Sequence, residues 1–368
     1  MVAAKRGAGR TERDGAAGVD GADGSAQATI RDVAARAGVS MATVSRVMTG
    51  SHPVSPERRE RVLRAIDDLD YVVNTHARSL SGSATETVAI VLEDITGPSF
   101  AAMAHGVEQE AAARGRLSLV CATHGDPEQE LRMLDLMRRQ HAKAVILVGG
   151  ADDLDEYRSR MARFARSLDA AGSRLVLCGR PPLDADVPAT VVEYDNENGA
   201  FAAVSHLLAA GHRRILALPG AEHFTTAEGR LAGYRRALEA RGVAYDPELV
   251  LATDYTRGSG EAAAREILAA HPDVTAVFAG SDQVALGLMD VLRDAGKVLP
   301  RDLSIVGYDD VPQARAVFPK LTTVHVPYEQ MGRTAVRLVL ERQEREIEEH
   351  VILGTHLEVR DSVTAPVR

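Results

Sequence analysis

From Val88 to Val306 the chain alternates short apolar runs of strand-forming residues with helical patterns of about 12 to 18 residues. The runs are Val88–Leu92, Leu117–Cys121, Ala144–Val148, Leu175–Cys178, Thr190–Val192, Ile215–Leu218, Val250–Ala252, Ala276–Ala279 and Leu303–Val306. Such a series is built from βαβ units, because parallel strands need a crossover and helices then cover the sheet. The segment is large for a single sheet of this kind. Two similar lobes fit better, parting near Ala189, with a late helix over Tyr328 to Glu344 and final strands crossing back.

A different pattern precedes this series. Thr29-Ile30-Arg31-Asp32 fits a capping box, with Thr as N-cap and an acid three residues on. Ile30, Val33, Ala34 and Ala37 then share one helical face. Gly38 supplies a turn, Val39 a buried staple, and Ser40 a cap for a second short helix, Met41 to Met48, with Val44 and Val47 inward. Two short helices joined by a tight glycine-containing turn form a helix-turn-helix. Ser55-Pro56-Glu57 opens a third helix, whose Val62, Leu63, Ile66 and Leu69 close a small core. Residues 1–28 are rich in Ala, Gly, Asp and Arg without apolar periodicity and read as a disordered tail. The domains expected are therefore that tail, a headpiece over 29–73, a linker over 74–84, a core over 85–362 and a short tail over 363–368.

Whole-chain charge argues against nucleic acid. The 368 residues carry 43 basic and 52 acidic side chains, a formal charge of −9, whereas phosphate neutralisation needs positive charge. The distribution reverses that argument. Residues 1–28 sum to zero, residues 29–82 to +2 and residues 83–368 to −11, so the acidic excess lies away from the helix-turn-helix.

Several function classes fall away. No apolar stretch is long enough to span a bilayer and no secretory signal opens the chain, so a cytoplasmic protein with no membrane partner is expected. Cys121 and Cys178 make neither a disulfide framework nor a zinc site. Gly258-Ser259-Gly260-Glu261-Ala262-Ala263 matches a dinucleotide fingerprint weakly, but lies deep in the second lobe instead of opening the sheet. It reads as a glycine-permitted turn capping a helix at Glu261. His206 and His212 flank a helix end and read as capping or packing residues. No catalytic residue, metal or cofactor is expected. A nicotinamide-dependent α/β enzyme would have to use the Gly258 motif, and a free solute-binding protein would need an export signal and no helix-turn-helix.

The exposed face of the second helix carries Met41, Ala42, Thr43, Ser45 and Arg46. Arg46 can donate two hydrogen bonds to guanine O6 and N7, and Ala42 can meet a thymine methyl. Thr43, Ser45 and the amides near Ser40 suit phosphates. Thr29 joins this DNA-facing set. On these residues alone, a helical hairpin with a solvated face is the alternative.

The segments TIRDVAARAGVSMATVSRVMTG, YVVNTHARSLSG, DNENGAFAAVSHLLAAGHRRILALPG, RLAGYRRAL, GSDQVALGLMDVLRDAG, LPRDLSIVGYDD and LTTVHVPYEQMG occur in this order. Together, over roughly residues 29–362, they resemble the lactose/galactose-repressor (LacI/GalR) family of bacterial transcription regulators. The resemblance implies an α/β chain with a helix-turn-helix headpiece, a hinge helix and a two-lobed core with parallel sheets, like a periplasmic sugar-binding protein. It implies a homodimer on a pseudo-palindromic double-stranded operator, most often as a repressor. The hinge would start at Asn74 and insert Leu80 into the minor groove as a wedge. Val73 stands where relatives often carry proline. A small-molecule effector (a sugar, a sugar derivative or a nucleoside) would lie between the lobes against Phe100, Arg180, Arg230, Tyr255, Asp282 and Tyr328. Gly179 stands before Arg180 where relatives often carry an acid, which removes one acceptor.

Overall fold

The computed structural model describes residues 28–49, 52–71, 87–151, 155–341 and 350–367. Most of the expected N-terminal tail and the expected hinge, with Asn74 and Leu80, lie outside the described residues. The chain divides into two compact units, Met1–Gly82 and Ser83–Arg368.

In the first unit, α1 (Ile30–Ala37), α2 (Met41–Thr49) and α3 (Pro56–Asp68) form the expected three-helix headpiece. The Asp32 carboxylate accepts from the Thr29 backbone N–H at 2.8 Å and from its hydroxyl at 2.7 Å. Gly38 ends α1 at φ 64°, a left-handed conformation that glycine adopts without Cβ strain. The amide of Val39 then returns to Ala34 O at 3.1 Å. Ser40 Oγ accepts from the Thr43 amide at 3.2 Å and so caps α2. Val33, Ala34, Ala37, Val44, Val62 and Ala65 are buried together. Leu63, expected in that core, is 46% exposed. One helical turn holds only a narrow inward stripe, and Val62, Ala65 and Ile66 fill it. Arg36 and Asp68 join α1 to α3 by an ion pair of 2.8 Å.

The second unit has two sheets. The first runs β2 (Leu117–Ala122), β1 (Thr87–Leu92), β3 (Ala144–Val148), β4 (Arg174–Cys178), β5 (Ala189–Tyr194), β10 (His350–Leu353), all parallel. The second runs β6 (Ile215–Leu218), β7 (Ala276–Ala279), β8 (Ser304–Asp309), β9 (Thr322–His325), β11 (His356–Glu358), with only β11 antiparallel. The helices between them are α4 (Pro98–Ala113), α5 (Pro127–Arg139), α6 (Asp155–Ala170), α7 (Asn196–Ala209), α8 (Thr225–Ala240), α9 (Arg257–Ala270), α10 (Asp282–Asp294), α11 (Pro312–Ala316) and α12 (Tyr328–Glu341). β3 and β4 are buried along their whole length and β1 along all but its first residue, as expected of parallel strands covered on both faces.

Three expectations change. The segment at Val250 makes only a single bridge, to Ala217, and is no strand. β5 stays in the first sheet, so the lobes part after Tyr194 and not near Ala189. Gly258 and Gly260 lie inside α9, whose cap is Thr256, with its hydroxyl accepting from the Ser259 amide at 3.2 Å. A Cβ on Gly260 would lie 2.1 Å from Val284 O, so this glycine serves close packing of α9 on α10 and not a nucleotide-binding turn.

Sheet topology locates the site. In the first sheet β1 leads by α4 to β2 on one side, and the chain then crosses by α5 to β3 on the other. The second sheet runs from β6 to β9 in chain order without such a reversal, and beside β6 there is only the single bridge from Ala217 to Val250. Ligands of open α/β sheets bind beyond the strand C-termini at such reversals. A continuous buried cluster, including Val88, Val176, Ala203, Phe278 and Val336, joins the lobes behind that edge.

Candidate functional site

Two surfaces answer to the sequence reading. On the headpiece, Thr29, Ser40, Met41, Ala42, Ser45 and Arg46 are exposed and Thr43 is half-buried. Val44, between them in sequence, is fully buried. The fold thus brings the proposed contact residues of α2 onto one outward face and fixes it with the cap at Ser40.

The second surface is a cleft of about 560 Å³ between the two lobes, where the strand C-termini and the starts of α4, α5, α8, α9 and α10 converge. Phe100, Arg180, Arg230, Tyr255 and Tyr328 line it, as the resemblance implied. Their environments differ in what each can still offer a ligand.

Arg180 is buried and its donors are used internally. Its Nη2 meets Glu130 Oε2 at 2.8 Å, its Nη1 meets Glu130 Oε1 at 3.3 Å and the Tyr157 hydroxyl, and its Nε donates to Gly149 O at 2.9 Å. Burial works against the Glu130 carboxylate, and the adjoining guanidinium overcomes it, leaving Glu130 below the ordinary carboxylate range. The pair is a strut under the cleft floor.

Arg230 is also buried but only partly engaged. Nε donates to Asn196 Oδ1 at 3.1 Å, Nη2 to the Tyr194 hydroxyl at 2.9 Å, and Nη1 to Gly280 O. Its guanidinium lies 4.2 Å from the Tyr308 ring centroid and 5.2 Å from that of Tyr255. Of five N–H groups, two remain for Asp309, 4.0 Å away, or for a ligand.

Asp282 is the clear correction. It is completely buried and faces away from the cleft. Its Oδ1 accepts from Thr323 Oγ1 at 2.6 Å and its Oδ2 from the Val311 amide at 2.9 Å. The reason is register. β7 ends at Ala279 and Ser281 already caps α10, accepting from the Val284 amide, so Asp282 begins the helix with its side chain turned over β8 and β9. Burial first, then the nearby Asp309 charge, pushes its carboxyl well above the usual range.

The acid that does face the cleft is Asp309, the last residue of β8. Its backbone sits at φ 112°, a conformation L-residues rarely adopt and one that concentrates at ligand sites. Tyr328 donates to it at 2.6 Å. Burial raises its pKa to about 6, against the opposing pull of Arg230 and of the Tyr328 hydrogen bond. The sequence signal was present, since Asp309 lies within LPRDLSIVGYDD at a strand C-terminus. What sequence lacked was the backbone turn that separates it from Asp282.

Aromatic rings supply the walls. Phe100 lies against Gly149 and Phe224 against Gly150, where a Cβ would come within 3.1 Å and 2.5 Å of the respective rings. Phe224 and Tyr255 have centroids 6.2 Å apart, and Tyr194 packs edge-on to Tyr328 at 5.9 Å. Phe224, Tyr194 and the acids Glu93, Asp94 and Asp254, none of them anticipated, complete the lining. Rings, carboxylates and a partly free guanidinium together suit a polyhydroxylated ring compound. Among the described residues no group of His, Cys, Asp and Glu is arranged to hold a metal, and no helix is long and apolar enough to cross a membrane.

Known proteins match the parts of the chain that carry these two surfaces. Residues 29–74 match the family described as bacterial regulatory proteins, lacI family, and residues 204–363 match the periplasmic binding protein-like domain. The HTH-type transcriptional regulator CelR of Thermobifida fusca is 40% identical over 342 residues, covering 91% of this chain and 98% of that protein. The solved complex of the transcriptional regulator CelR with cellobiose is 38% identical, with a TM-score of 0.66 over 92% of this chain and all of the other. The Lac repressor dimer bound to operator and the anti-inducer ONPF is 26% identical, with a TM-score of 0.79 over the same shares. The chain is a member of the lacI family of bacterial transcriptional regulators.

Proposed function

We propose that this regulator binds a pseudo-palindromic operator as a homodimer, most simply as a repressor, and releases or tightens its grip when a sugar-type effector occupies the cleft. The observation that carries the reading is the joint presence of an outward-facing α2 with Arg46 exposed and a pre-built cleft with Arg230, Asp309 and Tyr328 at its base. Arg46 and Ala42 read base edges, while Thr29, Ser40, Met41, Thr43 and Ser45 position the helix on the backbone. Asn74 and Leu80 would supply the minor-groove hinge. The likeness to CelR and to its cellobiose complex makes a disaccharide of that kind the first effector to try.

Dimer formation has a candidate surface in β2, an edge strand whose Leu117 is 75% exposed beside the exposed Leu119 and Val120. An apolar, unpaired edge is an aggregation hazard unless another copy covers it. In mechanism, effector and operator favour different lobe arrangements, so each alters the affinity of the other. The test is operator binding followed by fluorescence anisotropy with an operator selected in vitro. Arg46→Ala should weaken binding and relax base preference. An unchanged affinity and preference would remove α2 from recognition.

A further inference from the structure

We propose that the cleft selects an uncharged polyhydroxyl effector and excludes phosphorylated or carboxylated ones, with Glu93 and Asp254, on opposite lobes, as the residues that enforce the exclusion. The proposal rests on reading the cleft as the effector site and specifies the class of molecule it takes.

The charge layout carries it. Six carboxylates and three guanidinium groups line the cleft, and no lysine does among the described residues. The guanidinium groups are not available to an anion as full charges. Arg180 is paired with Glu130, Arg257 with Asp290, and Arg230 stands opposite Asp309. On the acid side, Asp126 has Arg132 at 3.0 Å. Glu93, Asp94 and Asp254 have no arginine or lysine in an ion pair among the described residues. Glu93 and Asp94 follow β1 in the first lobe, and Asp254 belongs to the second. The carboxyl of Glu93 is held above its ordinary range by burial, then by the charges of Asp94 and Asp254, so the two lobes' acids feel each other across the opening.

Helix N-termini are the obvious counterweight, since several converge here and such ends attract anions. The chain's own groups already occupy them. Asp126 accepts from the Glu128 amide at 2.9 Å at the start of α5. Asp254 accepts from the Thr256 amide at 3.0 Å, and Thr256 caps α9. Ser281 caps α10. The two helices entering without a side-chain cap, α4 and α8, carry Phe100 and Phe224 at their starts, and those are apolar rings. Hydroxyl groups can donate to the carboxylates that lack an arginine or lysine partner, whereas a phosphate would face them with only the two remaining N–H groups of Arg230, themselves opposite Asp309, to offset the repulsion.

The experiment is isothermal titration calorimetry of the full-length protein with matched pairs: cellobiose and 6-phosphocellobiose, glucose and glucose 6-phosphate, ribose and ribose 5-phosphate. The expected result is that the neutral member of at least one pair binds and its phosphate binds on the order of 100-fold more weakly, as like-charge juxtaposition requires. The isosteric double variant Glu93→Gln/Asp254→Asn should narrow the ratio between the neutral sugar's affinity and its phosphate's about tenfold or more, whatever it costs the neutral sugar's own affinity. Equal or tighter binding of a phosphate by the wild-type protein overturns the proposal but leaves the cleft as the effector site. A gap unchanged in a folded double variant removes Glu93 and Asp254 as its cause. Binding of no member of any pair, with operator binding intact, overturns the carbohydrate reading of the cleft and this proposal with it.

Discussion

The headpiece and the cleft solve recognition in opposite ways. On α2 the proposed contact residues Met41, Ala42, Ser45 and Arg46 stand in solvent on a helix held by a small core, and almost nothing in the described structure uses Ala42 or Arg46. At the base of the cleft Glu130, Arg180, Arg230 and Asp309 are buried and bonded to neighbouring groups of the chain before any ligand arrives. DNA supplies the partner atoms for the first surface. The second is preorganised, so a ligand gains from a few remaining donors and acceptors and from the aromatic walls. Changes in the headpiece should therefore alter binding without altering the fold, whereas changes at the base of the cleft should alter both.

That contrast can be broken at its strongest point first. Arg230→Ala should lower thermal stability by about 3–5 kcal/mol, because it leaves Asp309 buried without its guanidinium. It should also abolish the thermal shift given by a bound sugar. Stability within about 0.5 kcal/mol of wild type would mean that the buried network is not integral to the lobe. Arg46→Ala should reduce operator affinity at least about 10-fold, with both headpieces of a dimer affected, and leave the unfolding midpoint unchanged.

A third expectation sharpens the electrostatics. Hydroxyl donation favours ionised Asp309, whose pKa of about 6 is raised by burial. Binding therefore expels a proton below that pH, and sugar affinity should fall about tenfold from pH 7 to pH 5. Asp309→Asn should flatten that profile, and an equal slope in the variant would assign the proton elsewhere. The smallest effect belongs to Leu63→Ala in α3, which should cost less than about 0.5 kcal/mol because the side chain is half in solvent. A loss of several times that in a chemical denaturation series would restore Leu63 to the headpiece core.

What could be read from sequence divides along the same line. Thr29, Gly38 and Ser40 were legible because capping and turn chemistry act over three or four residues. The βαβ order was legible because parallel strands buried on both faces leave continuous apolar runs. The cleft was half legible. Arg230 and Tyr328 lie in matching motifs and Tyr255 is placed by position alone, but choosing between Asp282 and Asp309 needs the helix start at Ser281 and the left-handed turn at Asp309. Glu93 and Asp254 are 161 positions apart in the chain and line one cleft only because the C-terminal ends of the two lobes' strands face it. No local pattern encodes that pairing. Val250 misled because a short apolar run after a helix looks like a strand, whether or not the sheet extends to it.

The central claim is that the two surfaces are linked. The direct measurement is operator affinity by fluorescence anisotropy for the full-length protein, with and without a saturating sugar identified by calorimetry, beside sugar affinity with and without operator. The account predicts that sugar changes operator affinity by a factor of about 5–150 and that operator changes sugar affinity by the same factor. A sugar that binds the cleft tightly and leaves operator affinity unchanged would contradict it.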